Sequence, residues 1–277
     1  MRQDVTLITE DGESLDVSIE GQGQPIVLLH EWAADARVWG QIQTSLSAQF
    51  QVYAWTARGH GGPLKNSEPV TIERLARDLN QMISQFGMDR PILVGHSMGA
   101  LTLWQYIDLY SDRGIGRLCL IDQSPRLLTD DQWQLGIYGD FPPERNQRFL
   151  DNLAMDFPET VLRLIAEGHN QRARELYERH SPGFQRLRER LQQRNAGPLI
   201  DIWRSLAKAD FRPVLPKINV PTLLIYGEAS NYYGPAVANY VARQIPSAQL
   251  HLYAEADHSP HQGQRERFLA DLSRWLA

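Results

Sequence analysis

Ser97 stands at the centre of Gly95-His96-Ser97-Met98-Gly99, a G-x-S-x-G pattern directly behind the apolar run Pro91-Ile92-Leu93-Val94. A serine hydroxyl attacks a carbonyl when a base takes its proton, a carboxylate orients that base, and N–H donors meet the oxygen that turns negative. Such a serine needs a strand that ends in a very tight turn and opens into a helix. Glycines two residues to either side let neighbouring backbone pass close to it. Five letters match often by chance, so their setting carries the weight. Here Pro91–Val94 reads as a buried strand, and Ala100-Leu101-Thr102-Leu103-Trp104-Gln105-Tyr106-Ile107 reads as a helix with no breaker before Gly114.

The base is assigned to His258. It follows the strand-like Leu250 to Tyr253 across the loop Ala254-Glu255-Ala256-Asp257 and precedes an amphipathic terminal helix that contains Phe268. His261 competes for the role but stands farther from the strand end, where a catalytic loop projects.

The elements around these residues alternate. Val5 to Thr9 and Ser14 to Glu20 flank Asp11-Gly12, a hairpin signal, and Gly21-Gln22-Gly23 turns the chain into the apolar Pro25 to Leu29. Strand-like Val52 to Trp55, a helix over Thr71 to Phe86, the Ile92 to Val94 strand, the Ser97 helix and strand-like Leu118 to Ile121 follow. Alternation of this kind implies crossover connections and a mostly parallel sheet covered on both faces, an α/β fold. The pattern breaks near Ser124 and resumes at Pro221-Thr222-Leu223-Leu224-Ile225-Tyr226, before a helix near Pro235 to Gln244. Between them Arg126 to Val214 has helical spacing throughout, with Pro142-Pro143, Pro158, Pro182 and Pro198 as helix starts. The expected organisation is a core of residues 1–125 and 213–277 with a helical cap of residues 126–212 over the C-terminal edge of the sheet, where open α/β folds bind ligands.

With these landmarks the chain resembles the α/β-hydrolase-fold superfamily over nearly its full length. The resemblance is carried by the order Ser97 then His258, the strand series, the Leu29-His30 loop, Arg58-Gly59-His60-Gly61 and Gly95-His96-Ser97-Met98-Gly99. It implies a mostly parallel central sheet flanked by helices, a nucleophile at Ser97, a general base at His258, and oxyanion donors from the backbone amides of Trp32 and Met98.

Two departures from that family's pattern stand out. Where it usually reads His-Gly this chain reads His30-Glu31, so the loop presenting the Trp32 amide is built without its permissive glycine. Where it commonly places the acid, as Gly-x-x-Asp, this chain has Gly227-Glu228-Ala229-Ser230. Glu228 lies too close to the strand end, and Glu255 and Asp257 share the loop of His258 and need an awkward turn. Asp122 emerges at the end of the strand beside the nucleophile's, a position some members of the superfamily use, and is assigned as the acid. Its alternative role is to cap the turn at Ser124-Pro125. Ser230 and Tyr233 are read as hydrogen-bonding groups where the usual acid is missing, or as part of a polar loop.

At 277 residues, with 42% hydrophobic and 22% charged residues, the chain suits one core plus an insert. A net charge of -5 gives no footprint for nucleic acid. No eighteen apolar residues run together and the N-terminus lacks a secretory pattern, so a cytoplasmic protein without membrane spans is expected. Oligomeric state is left open by the composition. The single Cys119 is expected in the core. Arg58-Gly59-His60-Gly61-Gly62-Pro63 lacks the Lys-Ser/Thr ending of a phosphate loop, and His30, His60 and His96 lack metal-ligand spacing, so no cofactor and no metal are expected. Trp32, Trp133 and Trp203 are candidates to line an apolar substrate pocket, and Trp55, Trp104 and Trp275 to pack the core. Cap arginines are read as solvated helix faces, with carboxylate binding by one or two as the minor reading.

The expected activity is hydrolysis of a carboxylic ester or related acyl bond of a small, largely apolar substrate through an acyl-enzyme. Two alternatives stay open. Carbon-carbon bond hydrolases and cofactor-free dioxygenases share the fold, the latter with a His-Asp pair whose Asp follows the same strand as Asp122, and Arg37-Val38-Trp39 weakly resembles that group. The third reading, motivated by Glu31 and Ser230, is a ligand-binding protein with little turnover.

Overall fold

The computed structural model describes residues 2–277. Eight strands form one sheet in the order β1-β2-β4-β3-β5-β6-β7-β8. They are β1 Gln3–Ile8, β2 Ser14–Glu20, β3 Pro25–Leu29, β4 Gln51–Trp55, β5 Ile92–His96, β6 Arg117–Ile121, β7 Thr222–Gly227 and β8 Ala248–Tyr253. The pairings β1 with β2 and β2 with β4 are antiparallel, and all the others are parallel. This is the antiparallel start and parallel continuation expected from the hairpin signal and the later alternation. Five helices pack around the sheet: α1 Gly40–Leu46, α2 Ile72–Gln85, α3 Met98–Tyr110, and, after the middle of the chain, helices at Pro235–Gln244 and Arg265–Leu276. Among the described residues no helix is long and apolar enough to cross a membrane.

Both sheet faces are dry, which is why the central strands read as continuous apolar runs. Alternate residues divide between them. Ile26, Leu28, Ile92, Val94, Cys119, Ile121, Leu223 and Ile225 pack with Trp39, Ile42, Phe268 and Leu272. Val27, Leu29, Leu93, Leu118, Leu120 and Leu224 pack with Leu75, Leu79, Leu103, Trp104 and Val241 on the other face. Cys119 is fully buried in the first of these layers, and burial pushes its thiol well above the ordinary range, so it acts as core. Trp55 and Trp104 are buried, while Trp275 is partly buried at the edge of the first layer.

Between β6 and β7 stand α4 Pro143–Met155, α5 Phe157–Ala166, α6 Gln171–Glu178, α7 Pro182–Gln192 and α8 Ala196–Lys208. Prolines occupy the first turns of α4, α5 and α7 as expected, because a missing N–H costs nothing there. The expectation of helical spacing throughout Arg126 to Val214 is corrected over its first part. Residues 126–142 are turns, with isolated bridges at Arg126↔Asp210 and Asp130↔Trp133 and one short 3-10 turn at Ile137–Gly139. The reason is local: Gly136 passes so close to the Leu127 carbonyl that a Cβ has no room, and Tyr138 has φ 59.

Arg58-Gly59-His60-Gly61 is a fixed turn. The buried Arg58 guanidinium donates to Asp78 of α2 (2.8 Å and 2.9 Å) and to Asp11 of the β1–β2 turn (2.9 Å), tying the hairpin to α2. His30 Nε2 accepts from the Ala57 amide (3.0 Å) while its Nδ1–H donates to the Glu31 carbonyl (2.7 Å). Both nitrogens are thereby committed to the backbone at the start of the loop that leads to Trp32.

The last helices complete the order: α9 is Pro235–Gln244, α10 is the single turn Pro260–Gly263 and α11 is Arg265–Leu276.

Candidate active site

β5 ends at His96 and α3 begins at Met98, which leaves Ser97 alone between them with φ 53 and ψ −116. A non-glycine residue adopts this backbone only when its surroundings force it. The forcing is visible on both sides. A Cβ on Gly95 would lie 2.6 Å from the Gly99 carbonyl carbon, and one on Gly99 would overlap the Leu29 carbonyl oxygen. Strand, elbow and helix are therefore crowded against one another and against β3, which is what the two glycines permit. Met98 is the first residue of α3, so its amide belongs to the unsatisfied, electropositive end of that helix.

His258 lies on the segment between β8 and α10 and is buried. Its backbone is held at both ends. The amide donates to Asn231 Oδ1 (3.2 Å), and the carbonyl accepts from His96 Nε2–H (2.8 Å). Its ring rests edge-on against Tyr232, with centroids 4.4 Å apart. His261 faces elsewhere. Its ring sits among Trp39, His96 and Phe268, in the layer below the sheet edge.

Asp122 follows β6 at once, with φ 45, and is fully buried. Its Oδ1 lies 3.7 Å from His258 Nδ1, an ion-pair separation, and that nitrogen has no hydrogen-bond partner. Ser230 Oγ–H donates to the same Oδ1 (3.2 Å) and the Gly227 amide donates to Oδ2 (3.2 Å). Ser230, at the position where the acid commonly stands, thus supports the carboxylate that comes from the neighbouring strand. Tyr233 accepts from Gln123 Nε2 (2.9 Å) through its hydroxyl oxygen. Burial drives the Asp122 carboxyl well above the usual carboxylate range, against the Gly227 amide and the other groups that lower it. Burial, helped by the charge of His96, drives the His258 imidazole well below its usual range. Burial thus works against charge on either group, and on His258 it favours the neutral imidazole with a lone pair to accept a proton.

Ser97 and His258 line one cavity of about 70 Å³ with Glu31, Trp32, Met98, Leu164, Trp203 and Tyr232. It adjoins a groove of about 1000 Å³ that shares Glu31, Trp32, Leu164, Tyr232 and His258 and runs outward between α5, α6 and α7. Trp32 donates its indole N–H to the Leu199 carbonyl of α8 (2.9 Å) and packs against Trp203 and Phe157. Trp133 is the exception among the tryptophans expected at the pocket. It is not among the cavity-lining residues, because its ring packs on Tyr240, its N–H donates to the Arg126 carbonyl (3.1 Å) and the Arg212 guanidinium covers it. Tyr232, Leu164 and Asn231 were not legible as site residues. Only their closeness to Ser230 or to helix α5 marked them, and neither signal is specific.

Glu31 is the unexpected member. Its partly exposed carboxylate reaches the cavity and lies 3.2 Å from His96 Nδ1. The loop without glycine places its left-handed residue two positions on, at Ala33 (φ 64).

A sheet of this order with a strained serine elbow after its fifth strand defines a hydrolase-type α/β protein. The chain belongs to the alpha/beta hydrolase family, whose model matches residues 26–272. It is similar to the pimeloyl-[acyl-carrier protein] methyl ester esterase of Vibrio campbellii, 26% identical over 264 residues that span 93% of this chain and 96% of that protein. Its counterpart from Stenotrophomonas maltophilia is 26% identical over 269 residues, 95% of this chain and 96% of that one. Among solved structures, the fold is shared with an esterase from Exiguobacterium antarcticum (TM-score 0.85, 21% identity, 99% of this chain and 100% of that chain). It is shared also with the enol-lactonase from Burkholderia xenovorans (TM-score 0.80, 22% identity, 98% and 99%).

Proposed function

We propose that the protein is a serine hydrolase that cleaves a carboxylic ester of a small, largely apolar acyl group through an acyl-enzyme. The observation that carries this reading is the strained Ser97 elbow opening into the same cavity as His258, with the Asp122 carboxylate 3.7 Å behind the imidazole. The methyl ester esterases among its relatives support an ester with a small alcohol as the leaving group.

Ser97 Oγ attacks the carbonyl carbon while His258 Nε2 takes its proton, since Nδ1 is the nitrogen turned to Asp122. The backbone amides of Trp32 and Met98 receive the oxyanion, the second with the favourable end of the α3 dipole behind it. The imidazolium then gives its proton to the departing alkoxide. Water, deprotonated by the same imidazole, frees the acid and restores Ser97. Asp122 holds the Nδ1–H tautomer and offsets the charge that appears on the ring. Residues 126–212 act as a cap whose α5 and α8 close the acyl pocket with Leu164 and Trp203. The apolar lining suits an acyl chain, and the wider groove provides its exit.

A series of p-nitrophenyl esters of increasing chain length tests the reading. Turnover that falls by at least about 10³-fold in Ser97→Ala supports it. Full activity in that variant would overturn it in favour of chemistry in which His258 and Asp122 act without the serine.

A further inference from the structure

His96 is bonded at both ring nitrogens by groups that accept. Nε2 meets the His258 carbonyl at 2.8 Å and Nδ1 meets the Glu31 carboxylate at 3.2 Å. A neutral imidazole has only one N–H to give, and the backbone carbonyl has none, so a proton must also lie between Nδ1 and Glu31. Burial works against charge on His96, but the bond and charge of Glu31 outweigh it and raise the ring above its ordinary range. Burial also works against ionising Glu31, and the bond and charge of His96 hold that carboxyl down to about 2. The two are in contact at 3.2 Å, with Glu31 lining the cavity and His96 buried behind it.

The bonds of this pair join a strand end to two loops. Glu31 is on the loop after β3, one residue before Trp32. His96 is the last residue of β5, one before Ser97. The His258 carbonyl belongs to the base itself. We propose that Glu31 is a positioning residue that holds His96 as an imidazolium and, through it, ties the oxyanion loop and the nucleophile elbow to the loop of the base. A glycine in its place leaves that link unmade. The charge acts as well as the bonds. The His96 ring lies 4.8 Å from the His258 ring, so a cation there opposes protonation of the base. The other titratable groups facing His96 are His261, at 4.5 Å between rings, and Asp122, while Asp257 stands with His258 on its loop.

This inference rests on the reading of Ser97 and His258 as nucleophile and base, and its test separates the two. Two variants divide bonds from charge. Glu31→Ala removes the link, and kcat is expected to fall about 10- to 100-fold with KM changed much less, as a slightly misplaced base requires. Glu31→Gln can still donate from its amide to Nδ1 of a neutral His96, so the kcat plateau is expected within about 3-fold of the parent. In both variants the acid limb of kcat/KM is expected to move to higher pH, because the loss of the His96 cation outweighs the loss of the Glu31 anion, which pulls the other way on His258. Nitrogen NMR of His96 in the Ser97→Ala protein at pH 8 reads the charge without catalysis. The imidazolium pattern is expected, and the neutral pattern once Glu31→Gln is added. A neutral His96 in the parent, or Glu31→Ala with unaltered kcat and an unmoved acid limb, overturns the proposal. Failure of the hydrolase reading looks different, since Ser97→Ala would then keep its turnover.

Discussion

Replacing Asp122 by asparagine keeps the shape of the side chain and removes the charge that faces His258. When His258 takes the serine proton, an imidazolium forms 3.7 Å from the carboxylate. At the effective dielectric of about 20 that suits protein sites, a pair at that distance is worth about 4 kcal/mol. The asparagine dipole recovers a part, and burial that drives Asp122 toward its neutral form takes away another. About 3 kcal/mol of transition-state stabilisation remains at stake, or about 10²-fold in kcat. KM is expected to change little, because the carboxylate lies behind the imidazole and does not line the cavity. Steady-state kinetics on a p-nitrophenyl ester reads both quantities. Ser230→Ala serves as the companion variant. It removes one neutral hydrogen bond to Asp122 Oδ1 (3.2 Å), worth about 1 kcal/mol, and kcat should drop by about 5-fold or less. If Asp122→Asn retained kcat within about 5-fold of the parent, or if Ser230→Ala proved the more damaging of the two, the carboxylate that serves His258 would have to be sought elsewhere.

Two further outcomes follow from the packing. Trp203→Ala removes a ring packed at tilted and edge-on angles among Trp32, Phe149 and Phe141; it should cost about 3 kcal/mol or more of stability in denaturant unfolding and shift preference toward bulkier acyl groups. Arg58→Ala leaves Asp78 with Arg74 as its remaining guanidinium partner and unties Asp11 of the hairpin; a loss of about 2 kcal/mol is expected, and adding Asp78→Asn should restore part of it, as a thermal unfolding midpoint would record.

The elements that position the site were legible because each is a local pattern. Dry strands on both sides of the sheet read as apolar runs, the Pro25–Leu29, Ile92–Val94 and Thr222–Tyr226 segments among them, and prolines marked the starts of three helices before β7. Residues 126–142 misled because apolar residues at helix-like spacing there anchor a loop, and the tight pass of Gly136 against Leu127 is a turn geometry that hydrophobic spacing does not record. The Trp133 position failed for the same kind of reason: nothing local to it records that Tyr240, on α9, will take its ring. Asp122 was reached by noticing what Ser230 lacks, and the two turn out to be bonded to each other. The departure at Glu31 was visible as a missing glycine. Its partner, 65 residues away at His96, was not, since His96 lies inside the serine motif at the end of β5, Glu31 lies on the loop after β3, and nothing local to either records the other.

The most direct measurement for the central claim is intact-mass analysis after treatment with a fluorophosphonate, followed by peptide mapping. The account predicts a single stoichiometric adduct on Ser97, absent in Ser97→Ala and formed about 10²-fold more slowly in Asp122→Asn. An unmodified Ser97 in protein that turns over esters, or an adduct on another residue, would contradict it.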